Sequence, residues 1–296
     1  MNFRVSTAYQ YGSYQGAIAA SNARLYEAQQ RVSTGKKINR PSDDPVGSAR
    51  VLSMRSLKSG IEQFAGNLKT AKGVLGSSEV ALAEASQLVT RAYTLAVSGA
   101  NGATDQAGRN AMVEEINQIQ ARLIEVGNSK GPSGQFLFAG QEYDAKPFAL
   151  SGIALAYNGD ANDVIVETGP GEVMAVNTKG DALFQTAYDR LETLKNSLIG
   201  GNVGAISGVS ITELQDSQRQ FSHARGVVGT KMKRVDDLTR DMDRRKDDLT
   251  QGISDVEEID LSQAVMDYQL AQTAYQAALS VASQGFGLSL MDFIRG

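Results

Sequence analysis

The stretch "STGKKINRPSDDPVGSA", residues 33 to 49, interrupts a chain that on both sides reads as long amphipathic helix. Gly35 fits the position just past a helix end, where φ is positive, and Lys36 and Lys37 suit the negative pole of that helix. After the break at Pro41, Asp44 followed by Pro45 reads as an N-cap and the first residue of the next helix. Asp43 adds negative charge near its positive pole. On physical chemistry alone the string is a well-capped corner between two helices.

Heptads run outward from this corner. Before it, Tyr11, Tyr14, Ile18, Ser21, Leu25, Ala28 and Val32 recur at alternating steps of three and four. After it, Met54, Leu57, Ile61, Phe64, Leu68, Ala71, Leu75, Ser78, Leu82, Ala85, Val89, Ala92 and Ala96 do the same, and only Ser78 breaks the apolar stripe. At 1.5 Å per residue this second run predicts a coiled-coil-like helix of about 65 Å. A further stripe steps by seven through Leu214, Phe221, Val228, Val235, Met242, Leu249 and Val256. Shorter helices are expected around Met112 to Val126 and Phe184 to Leu198. Near the end, Leu261, Val265, Tyr268, Gln272, Tyr275, Leu279, Ala282 and Phe286 form a stripe like that of the first helix. Each terminal helix is one-sided and needs a partner. Glycines at 60, 66, 73 and 76 interrupt the long helix, which suggests either close helix approach or a chain that unfolds readily.

Between residues 134 and 183 the period changes. Short apolar runs such as "GQFLFAG" and "ALSGIALAYNGDANDVIVETG" are bounded by Gly, Pro and Asn-Gly, with Asn158-Gly159 the strongest hairpin signal. The expected fold is therefore mainly α: a long heptad-patterned helical rod formed by both ends of the chain, with a small inserted β domain. Residues 1–45 and 255–296 form a terminal paired-helix domain, 46–133 and 184–254 a rod domain, and 134–183 the β insertion. "IGGNVGAISG", residues 199 to 208, reads as a flexible loop between two rod helices.

Composition removes most chemistry. There is no cysteine and a single histidine, His223, so thiolate, zinc and histidine-based catalysis have almost no material. With 29 Lys+Arg against 33 Asp+Glu the chain has no basic excess for nucleic acid. No apolar run approaches a membrane span, and the N-terminus has neither an h-region nor a cleavage site. That leaves either a cytosolic protein or export through a machine that reads an uncleaved N-terminus. "GVVGTKM", residues 226 to 232, lies in a heptad stripe with the wrong glycine spacing for a phosphate loop, and "GDANDVIVE" lacks the calcium-loop pattern. No catalytic, cofactor or metal site is expected.

Three segments carry a resemblance: "RVSTGKKINRPSDDPVGSA" from Arg31, "GQFLFAG" with the following "KPF" (Lys146 to Phe148), and "DLSQAVMDYQLAQTAYQAALSVASQGFGLSLMDFI" from Asp260. Together they are similar to the flagellin family, and "STGKK" with "RPSDDP" points to its hook-associated, junction-forming branch rather than to filament flagellin. The resemblance implies a structural subunit of the bacterial flagellum. It would be exported unfolded through the flagellar type III channel, escorted by a dedicated chaperone, and polymerise as a ring between hook and filament beside a neighbouring hook-associated protein and flagellin. It further implies that the terminal helices line an axial tube. Ile18, Leu25, Val32, Leu261, Val265, Tyr268, Tyr275, Leu279 and Phe286 would then be assembly-interface residues. Gly35, Pro41, Asp43, Asp44 and Pro45 would form an interdomain corner. The alternatives are a flagellin-type filament subunit and a type III secreted coiled-coil tip or adaptor protein.

Overall fold

Helix dominates, as the heptads require. The computed structural model describes the backbone of residues 2–295 and the side chains of residue 9 and of residues 11–284. In chain order the elements are α1 (Asn2–Thr34), α2 (Pro45–Gly99), α3 (Gln106–Gly127), β1 (Phe148–Ser151), β2 (Ala154–Tyr157), β3 (Ile165–Gly169), β4 (Glu172–Ala175), α4 (Asp181–Ile199), α5 (Val203–Ala205), a π-helical turn at Ile206–Ser210, α6 (Ile211–Glu257) and α7 (Leu261–Arg295). The chain divides into two units. One holds Met1–Gly60 with Arg245–Gly296, the other Ile61–Arg244, so α2 and α6 pass from one unit into the other.

In the unit of residues 61–244, one core joins α2, α3, α4 and α6. Leu68, Leu75, Leu82 and Val89 of α2 are fully buried with Ile116 and Leu123 of α3, Leu191 and Leu194 of α4, and Phe221, Val228 and Val235 of α6. Ser78 stays in this stripe because its hydroxyl donates to the Val74 carbonyl at 2.9 Å, so no polar group is left orphaned. Phe184 sits at the centre of an aromatic cluster, its ring 4.9 Å from Phe138, 5.2 Å from Phe148 and 5.6 Å from Phe221. That cluster anchors the β segment to the helices. Of Gly60, Gly66, Gly73 and Gly76, only Gly73 meets a close neighbour, Pro132. A Cβ at Gly60, Gly66 or Gly76 would enter open space.

The strands form two separate antiparallel hairpins, β1–β2 and β3–β4. Their turns use Gly152 and Gly171, both at positive φ, rather than Asn158-Gly159. Asn158 instead donates its N–H to the Pro147 carbonyl at 2.7 Å. Gly159 is required for packing, since a Cβ there would lie 2.7 Å from the Ala139 carbonyl oxygen. Residues 136–140 of "GQFLFAG" are buried but irregular, with one isolated bridge between Lys130 and Phe136. Residues 199–208 also differ from the expected flexible loop: they wind into α5 and the π-turn, and Ile206 is buried there.

Candidate assembly site and corner

In the unit of residues 1–60 and 245–296, α1 packs on α7. On α1 the inward stripe is Tyr14, Ile18, Ser21, Leu25, Ala28 and Val32, all half-buried. On α7 it is Ala264, Tyr268, Ala271, Tyr275, Ala278 and Ala282, where only the first and last are fully buried. On the α7 side alanine alternates with tyrosine along this seam.

The nine expected interface residues therefore separate. Ile18, Leu25, Val32, Tyr268 and Tyr275 lie in the seam of the pair. Leu261, Val265 and Leu279 are exposed, Leu261 at 57%. The Phe286 side chain lies outside the described residues. The stripe read from sequence through Leu261, Val265 and Leu279 follows the edge of the seam, because it favoured large residues over the alanines that make the contact. A second ridge was not legible in that reading. Met266, Leu270, Ala277 and Val281 follow steps of four, seven and four on the face away from α1, and Leu270 is 71% exposed. Between Leu261 and Gln284 the only charged residue is Asp267, whose carboxylate accepts a hydrogen bond from the Gln263 side chain at 3.0 Å. A helix apolar on two faces and nearly free of charge is built to be surrounded.

The corner is built by short-range capping. Gly35 has φ of 69° and its N–H closes onto the Arg31 carbonyl at 2.9 Å, ending α1. The Asp44 carboxylate accepts from the Gly47 N–H at 2.9 Å, and Pro45 follows as the first residue of α2. Asp43 serves the turn instead of the helix pole: its carboxylate accepts the N–H groups of Asn39 at 3.0 Å and Arg40 at 2.8 Å. Those donors hold the Asp43 carboxyl below the usual range. Pro41 is exposed on the rim of a groove that also includes Ile38, Pro45, Val51 and Leu52. Ile38 and Val51 are buried, and a Cβ on Gly47 would lie 2.7 Å from Ile38.

The corner also meets the break between α6 and α7. Lys36 and Glu258 form an antiparallel bridge, with the Lys37 N–H on the Glu257 carbonyl at 2.8 Å and the Ile259 N–H on the Gly35 carbonyl at 3.0 Å. The Glu257 carboxylate, nearly buried, accepts from Arg55 at 2.6 and 2.9 Å and pairs with Lys36 at 2.9 Å. Burial alone would raise the Glu257 carboxyl, but the Lys36 hydrogen bond and the Arg55 charge outweigh it and hold it below its ordinary value. Glu257 was not singled out from sequence. The available signal was two adjacent glutamates in "VEEID", set at a helix C-terminus where negative charge is unfavourable without a cation. Among the described residues no group of His, Asp or Glu side chains could hold a metal ion, and no helix is long and apolar enough to cross a membrane.

The two ends of the chain pair as helices, and its middle is a helical bundle carrying small hairpins. The chain matches the family models described as the bacterial flagellin N-terminal helical region, over residues 5–143, and the bacterial flagellin C-terminal helical region, over residues 211–293. It belongs to the bacterial flagellin family. It is 23% identical to flagellar hook-associated protein 3 of Salmonella typhimurium, with 99% of this chain and 100% of the relative covered. A flagellin of Clostridium tyrobutyricum is 28% identical, with 70% of this chain and 61% of the relative covered. Among solved structures, a flagellar hook-associated protein from Vibrio parahaemolyticus superposes with a TM-score of 0.68 at 21% identity, covering 73% of this chain and all of that one.

Proposed function

We propose that the protein is a structural subunit of the bacterial flagellum that polymerises with copies of itself at the junction between hook and filament. The observation that carries this reading is the doubly apolar α7: α1 covers one face, and the ridge of Met266, Leu270, Ala277 and Val281 is left for another chain. End-to-end similarity to a hook-associated protein favours the junction over the filament. Residues 1–45 with 255–296 would form the terminal domain that lines the axial tube, residues 46–133 with 184–254 the rod, and residues 134–183 the insertion. Ile18, Leu25, Val32, Tyr268 and Tyr275 hold the pair together. Leu261, Val265 and Leu279, with the outer ridge, meet neighbouring subunits. Partners in this picture are further copies, an adjoining hook-associated protein, flagellin, and an export chaperone. The route to the cell exterior is the flagellar type III channel. No catalysis is involved.

Electron microscopy of a strain lacking the protein tests the reading. Hooks without filaments, with flagellin released to the medium, are expected. Filaments still attached to hooks would overturn it. Complementation with Leu270→Glu should fail to restore filaments although the protein is exported, whereas Asp267→Asn should restore motility. If the purified protein instead grows long filaments alone, it is a filament subunit.

A further inference from the structure

We infer that the start of α6 is a two-state switch: residues 203–209 are either wound onto the helix, as in this structure, or released by a cap at Ser210. The stretch "VSITEL", residues 209 to 214, carries the signature of a helix N-terminus. Ser210 and Glu213 have the spacing of a capping box, in which the serine hydroxyl accepts the glutamate N–H and the glutamate side chain reaches back to the serine N–H. Val209 and Leu214 flank them at the positions of a hydrophobic staple. The chain nonetheless stays helical through this point, because Val203–Ala205 and the π-turn at Ile206–Ser210 extend α6 backwards.

The wound state leaves that signature unused. Ser210 is fully buried, and neither its hydroxyl nor the buried Oε2 of Glu213 has a hydrogen-bond partner. Buried polar atoms without partners are costly, and a cap would satisfy both. The Ile206 carbonyl, toward which a serine in regular helix would turn, takes the Ile211 N–H of the π-turn. Val209 is 53% exposed although its staple partner Leu214 is buried. Gly204 and Gly208 weaken the helix further, and a Cβ at Gly208 would meet nothing, so packing does not require glycine there. What holds the wound state is Ile206, fully buried in the core, together with two polar contacts. The Asn202 side chain accepts the Ala205 N–H at 3.0 Å as a rival N-cap, and the Thr212 hydroxyl donates to the Gly208 carbonyl at 2.8 Å. Asn202 and Ser210 cannot both begin the same helix. The balance therefore sets burial of Ile206 against a satisfied capping box and a closed staple. Release turns residues 200–209, which include four glycines, into a flexible span between α4 and α6. The switch lies within the unit of residues 61–244 and is independent of the junction reading.

Hydrogen exchange by mass spectrometry on the full-length protein tests it, comparing the wild type with Ser210→Ala, Glu213→Ala and Glu213→Gln. Loss of the cap disfavours the released state, so both alanine variants should slow exchange at residues 204–209 by about fivefold or more, the scale of one N-cap. Glu213→Gln keeps the capping box and should exchange as the wild type does. Amides within Phe221–Val235 should be unchanged in all three. Unchanged or faster exchange at residues 204–209 in both alanine variants would overturn the switch, since these side chains would then serve the wound helix. Equal slowing in Glu213→Gln and Glu213→Ala would overturn the capping box, because relief of a buried charge would account for the effect. Slowing that extends equally through Phe221–Val235 would overturn a local switch in favour of a general gain in stability.

Discussion

The seam of α2 and α6 and the seam of α1 and α7 are both heptads, yet they are finished to different degrees. Leu75, Leu82, Phe221 and Val228 have no exposure, whereas Ile18, Leu25, Tyr268 and Tyr275 remain half-buried and α7 turns Met266, Leu270 and Val281 outward. The same pattern type thus encodes a core that closes within one chain and a core that stays open. What separates them is the number of faces: four helices surround the first seam, while two helices share the second. Burying a leucine contributes about 1.5–3 kcal/mol, and the outward leucines of α7 leave that stabilisation unused within the chain.

The contrast can be broken most directly at its closed end. Phe184→Ala removes the centre of the aromatic cluster and should destabilise the residue 61–244 unit by about 3–5 kcal/mol in thermal or denaturant unfolding. A loss below 1 kcal/mol would mean that core is not closed. Acid should divide the two regions differently. Because the folded Glu257 carboxyl titrates below its ordinary value, its contribution is complete above the usual carboxylate range and is lost as pH falls through the lowered value. Corner amides should therefore lose protection on acidification before the apolar core does, and exchange at stepped pH reads the order. Gly66→Ala and Gly76→Ala should each stabilise α2 by about 1 kcal/mol, since helix propensity improves and the added methyl meets nothing. The smallest effect belongs to the open seam: Leu270→Ser should leave monomer stability within about 0.5 kcal/mol while weakening self-association measured by sedimentation. A large destabilisation of the monomer would show that Leu270 is already covered.

Much of this was legible because heptads report burial directly. The α2 stripe from Leu68 to Ala96, the Phe184 helix and the capping roles of Gly35, Asp44 and Pro45 follow from side-chain size and local backbone chemistry alone. The rest depended on contacts distant in sequence. Periodicity cannot say which of two apolar faces of α7 meets α1, since Leu261 and Leu279 outrank Ala264 and Ala271 in hydrophobicity yet stay exposed while the alanines make the contact. Asn158-Gly159 carries turn chemistry, yet a neighbouring segment, not a turn, needs the missing side chain at Gly159. Glu257 gains its meaning only when Lys36 and Arg55, 221 and 202 positions earlier, arrive beside it.

The α2 stripe has one more property. Its small positions, Ala71, Ser78, Ala85 and Ala92, alternate with a series that shrinks along the helix from Leu68, Leu75 and Leu82 to Val89 and Ala96. A uniform heptad can slide by one repeat, about 10 Å at 1.5 Å per residue, and still bury the same groups. A series that passes from leucine to valine to alanine cannot, because a one-repeat shift changes the size of the group presented at its Val89 and Ala96 end. Register in this bundle is therefore set by the Val89 and Ala96 end of the stripe, and sliding of α2 against its partners is opposed there.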